Sequence, residues 1–364
     1  MEIINVSVVI PVYNAEKFLR ACLDSATGQT LRETEILCID DGSTDNSAAV
    51  VAQYMEIDPR IRLIRQENSG SGAARNRGIR AAQGEYIAFL DADDFYPEAE
   101  TLEKLYRAAA QHEARICGGS FSVVWPDGKV VTRFGSERYW GYTFEKDGLW
   151  EYRDYQFDFG YHRFLYRREF LLEKGLFFPD YLRYQDPPFF VRAMTAAGSF
   201  YALRDVSYRY RIGTGTRGIT VSRKKAWGQI MGYADNLEHA REHGFPRLYR
   251  LTFARCYIDN WHLVLAASRF HDAEIDRALQ RLDRAIDLSL LPELGRFDKW
   301  RYEKDRRARN GGKKRASVWA CEPLVSLAVT AWRALYSIKE NGIRYFVLRL
   351  NGQHLKGKKG KCQS

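Results

Sequence analysis

Four short runs rich in β-branched and aliphatic residues, at 6–10, 35–39, 61–65 and 86–90, are separated within the first 115 residues by segments of helical period. This alternation is the strongest constraint on the fold. A short strand followed by a helix and another short strand is the pattern of parallel pairing, because parallel neighbours need a long crossover and a helix supplies it. Start signals at Asn14, Ser43 with Thr44, and Pro97 lead to helices expected at about 16–27, 45–57, 72–82 and 98–113. The expectation is an α/β chain: a mostly parallel sheet with flanking helices.

In such sheets ligands bind beyond the carboxyl ends of the strands. All four ends carry polar or turn-forming residues: "PVYN", "DDGSTD", "ENSGSGAARNRG" and "DADD". Each alone is ordinary turn chemistry. Together they converge on one sheet edge, which points to a binding site there.

The fourth end is the most informative. Crowded carboxylates repel one another and cost stability unless positive charge lies between them. An Asp-x-Asp at a strand end can hold a divalent cation through oxygen atoms while that cation bridges a diphosphate. Asp91 and Asp93 would contact such a metal and a sugar nucleotide, directly or through water. Arg75 and the helix amino terminus after Gly72 favour phosphate charge. Asp41 is placed to accept a hydrogen bond from a base, such as the N3–H of uracil. These residues read as a nucleotide site.

Downstream, the composition turns aromatic over 120–166. Helical patterns are expected at 167–174 and 187–197, and again at 225–243, 248–270 and 272–288, the last with Ile275, Leu279, Leu282 and Ile286 on one face. The expected organisation is a catalytic region over 1–220, divided into halves at 1–115 and 116–220. A helical region follows over 221–298, then a basic tail over 299–364. That tail holds 17 Lys and Arg against 4 Asp and Glu, so it carries +13 of a net +10 and the rest of the chain is at −3.

The segments "VSVVIPVYNAEKFLRACLDS", "EILCIDDGSTDNS", "NSGSGAARNRGIRAAQGEYIAFLDADD" and "YQDPPFFVRA" resemble the family 2 glycosyltransferases of the GT-A fold, over about residues 6–220. The resemblance implies an inverting enzyme that uses a nucleoside-diphosphate sugar, usually a UDP-sugar, and a divalent metal, Mn²⁺ or Mg²⁺. It implies that Pro11, Tyr13 and Asp41 wall the base and ribose, that Arg75 contacts the nucleotide, and that Ala92 and Asp93 flank ribose and metal. Asp93 is the first choice of direct metal ligand, with Asp91 beside it. The general base implied is Asp186. Here the sequence departs from the family, where the preceding residue is usually Glu and in this chain is Gln185. The "HRFLYRREF" run also departs from the usual "NKLYRREF", which bears on the acceptor side.

Several features carry two readings. Trp140, Tyr142, Trp150, Tyr152 and Tyr155 could stack acceptor sugars or pack the core. His162 has no second His or Cys at metal spacing and reads as a structural residue or a hydrogen-bond donor. Arg211 and Arg217 sit in a Gly-rich loop that could close over a diphosphate or lie solvated. In the tail, basic residues alternate with Trp319, Leu324, Leu327, Val329, Trp332 and Leu335. That pattern suits an anionic membrane surface better than nucleic acid, with helical packing on the catalytic region as the rival.

The six cysteines show no CxxC pair, which argues against a zinc site or disulfide framework and favours a reducing cytosol. The opening residues have no basic leader, so the chain is expected to start as folded protein, and no apolar run in the sequence is long enough to span a bilayer. The basic tail and the resemblance together imply a cytoplasmic protein, peripheral at the inner face of the cell membrane. The combined expectation is a hexosyl- or N-acetylhexosaminyl-transferase extending a saccharide acceptor, polyprenyl-diphosphate-linked, for bacterial surface polysaccharide. The rivals are a degenerate sugar-nucleotide-binding scaffold subunit and a haloacid-dehalogenase-like phosphatase. The latter's Asp-x-Asp lies near the first strand rather than the fourth.

Overall fold

The computed structural model describes residues 3–134, 141–214, 222–260 and 272–295, with isolated or short stretches between 264 and 307. Strand β1 (Val6–Val12) pairs in parallel with β2 (Thr34–Asp40) on one side and β4 (Tyr86–Phe89) on the other, and β3 (Ile61–Arg65) lies outside β2. The crossovers are α1 (Glu16–Thr27), α2 (Ser47–Ile57) and α3 (Ser71–Ala81), with α4 (Thr101–Gln111) after β4. Val6, Val8, Val9, Ile10 and Val12 are all fully buried, as expected for a strand covered on both faces. Helix α1 buries Leu19, Cys22, Leu23 and Ala26, one stripe at helical spacing. Helix α3 approaches β1 so closely that a Cβ at Gly78 would lie 2.2 Å from Val9 Cγ1.

The second half adds β5 (Ile116–Val124), β6 (Val130–Val131), β7 (Gly148–Glu151), α5 (Tyr152–Tyr155), β8 (Phe164–Arg167), α6 (Arg168–Glu173), α7 (Asp186–Ala197) and β9 (Ser199–Arg211). The sheet order is β3-β2-β1-β4-β8-β5-β9-β7, with β6 beside β5. Strand β8 enters antiparallel between β4 and β5, whereas β9 runs parallel to β5 through a register shift. Six of the nine strands therefore point one way, so the sheet is mostly parallel, as expected, with an antiparallel wedge in its second half.

The carboxyl-terminal region is helical: α8 (Arg223–Glu242), α9 (Pro246–Phe253) and α10 (Ala273–Ala285). Instead of one helix over 248–270, α9 passes at 254 into a π-helical turn, Ala254–Asp259. The described residues up to 294 form one compact unit that includes the sheet and these helices. The described residues from 295 onward belong to a second unit. Among the described residues no helix is long and apolar enough to cross a membrane. Trp140, Arg217 and the tail from 308 onward lie outside the described residues.

The sequence signals for helix starts mark loops rather than caps. The residues preceding α1, α2 and α4 are Ala15, Asn46 and Glu100, not Asn14, Ser43 or Pro97. Asn14, at φ 49°, accepts from the Thr44 N–H, and its own N–H donates to Ser43 Oγ. The helix ends satisfy each other across the chain. The Ala15 N–H donates to Ser47 Oγ, the Glu16 N–H to Asp45 Oδ2, and the Asn46 N–H to Glu16 Oε2. The orphan donors of two amino termini are thus paired by residues from the other helix.

Candidate active site

The carboxyl ends of β1 to β4 share one edge of the sheet, and the expected site residues gather along it. Pro11 pairs with Ile39, and Val12 with Asp40, in the β1–β2 register. Tyr13 follows β1 and is 52% exposed, leaving a ring face open at that edge. Asp41 follows β2 and is buried. Its Oδ1 accepts from Gln66 Nε2 and the Ser69 N–H, and its Oδ2 from the Gly70 N–H, each at 2.8 Å. Asp41 therefore organises the loop between β3 and α3, a task its sequence context did not reveal.

Arg75, near the start of α3, is buried with its guanidinium 5.1 Å from the Tyr161 ring centroid and 5.4 Å from that of Phe178. It donates to Asp91 Oδ1 at 2.6 Å. Tyr161 donates to the same oxygen at 3.3 Å. Burial pushes the Asp91 carboxyl up, but the charge of Arg75 and the hydrogen bonds from Arg75 and Tyr161 outweigh it and hold the group below the usual carboxylate range. Asp91 is ionised at neutral pH.

Its neighbours behave oppositely. Burial and the charge of Asp91 raise Asp93, although Thr214 donates to its Oδ2 at 2.5 Å. Ala92 between them is buried. Asp94 is fully buried and pushed up to about 8 by burial, Asp91 and Asp93. It accepts from Tyr208 Oη and the Arg211 N–H, both at 2.7 Å. Asp94 is thus a structural acid that ties the end of β9 to the loop after β4. Arg211 also donates from Nε to the Asp93 carbonyl at 2.9 Å. The sequence signal that marks this junction is the alternating "YRYR" of β9, which brings Tyr208 and Arg211 to the acidic loop.

Asp186 opens α7, where burial raises its carboxyl to about 6 against the lowering influence of Arg75. Gln185, in the place of the usual Glu, donates from Nε2 to Ser71 Oγ at 2.9 Å and so joins the start of α7 to the start of α3. Arg75 bonds Asp91 directly and its charge also reaches Asp186, so the two acids share the influence of one buried guanidinium while their proton affinities are displaced in opposite directions. That separation is how a site assigns distinct acid–base roles to two carboxyl groups.

Tyr142, Tyr152 and Tyr155 are buried in the aromatic core and Trp150 is half-buried, so the first three pack rather than face solvent. His162 is buried, with both ring nitrogens lacking a hydrogen-bond partner and its centroid 3.9 Å from that of Tyr208. Burial lowers it to about 3, and it is neutral in the folded protein. Among the described residues no group of three or more His, Cys, Asp or Glu is arranged to enclose a metal ion.

Residues 7–174 match the family described as glycosyl transferase family 2. An uncharacterized glycosyltransferase of Bacillus subtilis, EpsJ, is 34% identical over 209 residues, covering 57% of this chain and 60% of EpsJ. The glycosyltransferase GlyA of Streptococcus pneumoniae is 42% identical over 116 residues, covering 32% of this chain and 16% of GlyA. The chain thus spans less than two thirds of either relative. In structure it is similar to S. aureus TarS 1-349, crystallised in complex with UDP-GlcNAc, with a TM-score of 0.62, 20% identity and coverage of 79% of this chain and 83% of that one. The likeness shows a shared GT-A fold. The match to glycosyl transferase family 2 covers residues 7–174, a little under half of the chain.

Proposed function

We propose that this protein is an inverting, metal-dependent glycosyltransferase. It moves a hexosyl or N-acetylhexosaminyl group from a UDP-sugar to a hydroxyl of a saccharide acceptor carried on a polyprenyl diphosphate, in bacterial surface polysaccharide synthesis. The observation that carries the reading is the pairing of Arg75 with Asp91 beyond the strand ends, together with a buried Asp186 at the start of α7 that feels the same guanidinium, one acid held ionised and the other raised to about 6. The crystallised complex of TarS with UDP-GlcNAc supports a uridine donor in this fold.

Tyr13 and Pro11 supply the wall for base and ribose, and Asp41 holds the loop that closes it. Asp186 takes the proton from the acceptor hydroxyl. The freed oxygen attacks the anomeric carbon from the face opposite the diphosphate, the glycosidic C–O bond breaks, and its electron pair leaves with the nucleotide. Arg75 supplies fixed positive charge beneath the donor.

The crowding of Asp91, Asp93 and Asp94 fits a bound cation: Asp93 is raised by burial and the charge of Asp91, and Asp94 by burial and the charges of both. Asp93, with Asp91, would hold Mn²⁺ or Mg²⁺. When bound, the ion neutralises charge on the leaving group.

The test is release of UDP from a panel of UDP-hexoses and UDP-N-acetylhexosamines, with Mn²⁺ or with EDTA. Turnover of one donor in metal only, lost in Asp186→Asn, is the expected result. Gln185 favours one other reading, a scaffold subunit that binds the sugar nucleotide without turning it over. Tight UDP binding with no hydrolysis or transfer for any donor would select it.

A further inference from the structure

Helix α8 comes up against the segment that leads into the candidate site. Tyr184, immediately before Gln185 and Asp186, has φ 64°, a left-handed conformation that a bulky residue rarely adopts. Its ring lies 4.3 Å, centroid to centroid, from that of Tyr233 on α8. The backbone of α8 comes so near that a Cβ at Gly232 would be 2.6 Å from the Tyr184 carbonyl oxygen. The Tyr184 hydroxyl faces Asp158 Oδ2 at 3.5 Å.

Asp158 is fully buried, and its Oδ1 forms an ion pair at 3.2 Å with Nε of Arg255. The Arg255 guanidinium lies 5.2 Å from the Phe159 ring centroid. Arg255 belongs to the π-helical turn, which interrupts the helix where this side chain enters the catalytic region. Turns of this kind are frequent at functional sites. The Tyr233 hydroxyl closes the circuit by donating to the Arg255 carbonyl at 3.5 Å.

We propose that Arg255 and Asp158, with Tyr184, are positioning residues through which the helical region sets the loop that aims Asp186 at the acceptor hydroxyl. The proposal rests on the reading of Asp186 as general base and deepens it. The ion pair fixes Tyr184 from behind, α8 fixes it from the side, and the residue's left-handed turn directs the start of α7. A buried ion pair is costly to assemble and serves geometry better than stability. The charged and titratable groups that face Asp186 are Arg75, Asp91, Asp158, Tyr161, Tyr184 and Tyr210.

Two measurements test the relay. In the first, the Asp186 carboxyl is titrated by ¹³C NMR in full-length protein, its resonance identified by loss in Asp186→Asn. Asp158→Asn removes a like charge, so the midpoint should fall by at least about 0.3 pH unit. Should the single variant fail to fold, the double variant Asp158→Asn with Arg255→Gln leaves no lone buried charge, and because it removes both members of the pair its readout is kcat, which should fall about tenfold or more with UDP affinity within about twofold. In the second, Arg255→Gln should lower kcat by about tenfold or more, leave the donor KM and UDP affinity within about twofold, and be largely rescued by Arg255→Lys.

An unchanged midpoint in folded Asp158→Asn would overturn the proposal, as would an unchanged kcat in the folded double variant or a loss of UDP affinity equal to the loss of turnover. Failure of the wild type to turn over any UDP-sugar would sink the transferase reading alone, and the titration would still decide the relay.

Discussion

Two carboxyl groups under the influence of Arg75, displaced in opposite directions, make the sharpest demands at the scale of single residues. Asp186→Asn should cut turnover by about 10²–10⁴ while UDP affinity changes by less than about twofold, since the acid contacts the acceptor and not the nucleotide. Parallel steady-state kinetics and calorimetry check this. The pH dependence follows from the sign of its shift. A base must be deprotonated to act, and burial raises Asp186 to about 6. The rate should therefore fall as pH drops through about 6, well above the fall expected of an ordinary carboxylate. A profile flat down to pH 5 would remove Asp186 from the role. Asp94 was missed by sequence reasoning because the fourth strand end offers three acids in one tetrapeptide, and nothing local says which is turned inward. The partners that select it, Tyr208 and Arg211, come from β9, 114 and 117 residues away.

Among the elements, α3 and β1 are held at the distance that Gly78 allows. Gly78→Ala would place a methyl group against Val9 and should cost about 1–3 kcal/mol as overpacking, read as a lowered thermal midpoint with unchanged secondary structure. A stability equal to the wild type would show that the helix can shift outward freely. The strands and helices of the first 115 residues were legible because each is a short periodic segment bounded by turn chemistry, and β3 matches its expected limits, 61–65. Helix starts were less legible, since Ser47, Asp45 and Glu16 cap the opposite helix, and reciprocal caps leave no mark on either sequence alone. The antiparallel insertion of β8 and the π-helical turn at 254 were not legible either. Both depend on packing between segments far apart in the chain.

For the whole molecule, charge is divided sharply: −3 over residues 1–298 and +13 over 299–364. An anionic surface near the tail would attract it by roughly 1 kcal/mol per Lys or Arg at the surface. The full chain should cosediment with phosphatidylglycerol vesicles at low salt, release as salt screens the attraction, and ignore neutral vesicles. Equal binding to both would contradict the assignment. The central claim remains the donor site at the carboxyl edge of the sheet, and calorimetry of UDP with and without Mn²⁺ tests it most directly, on the wild type and on Asp93→Ala. The account predicts binding that is tight only with metal and is lost in the variant. Absence of binding under both conditions, in protein shown to be folded, would contradict it.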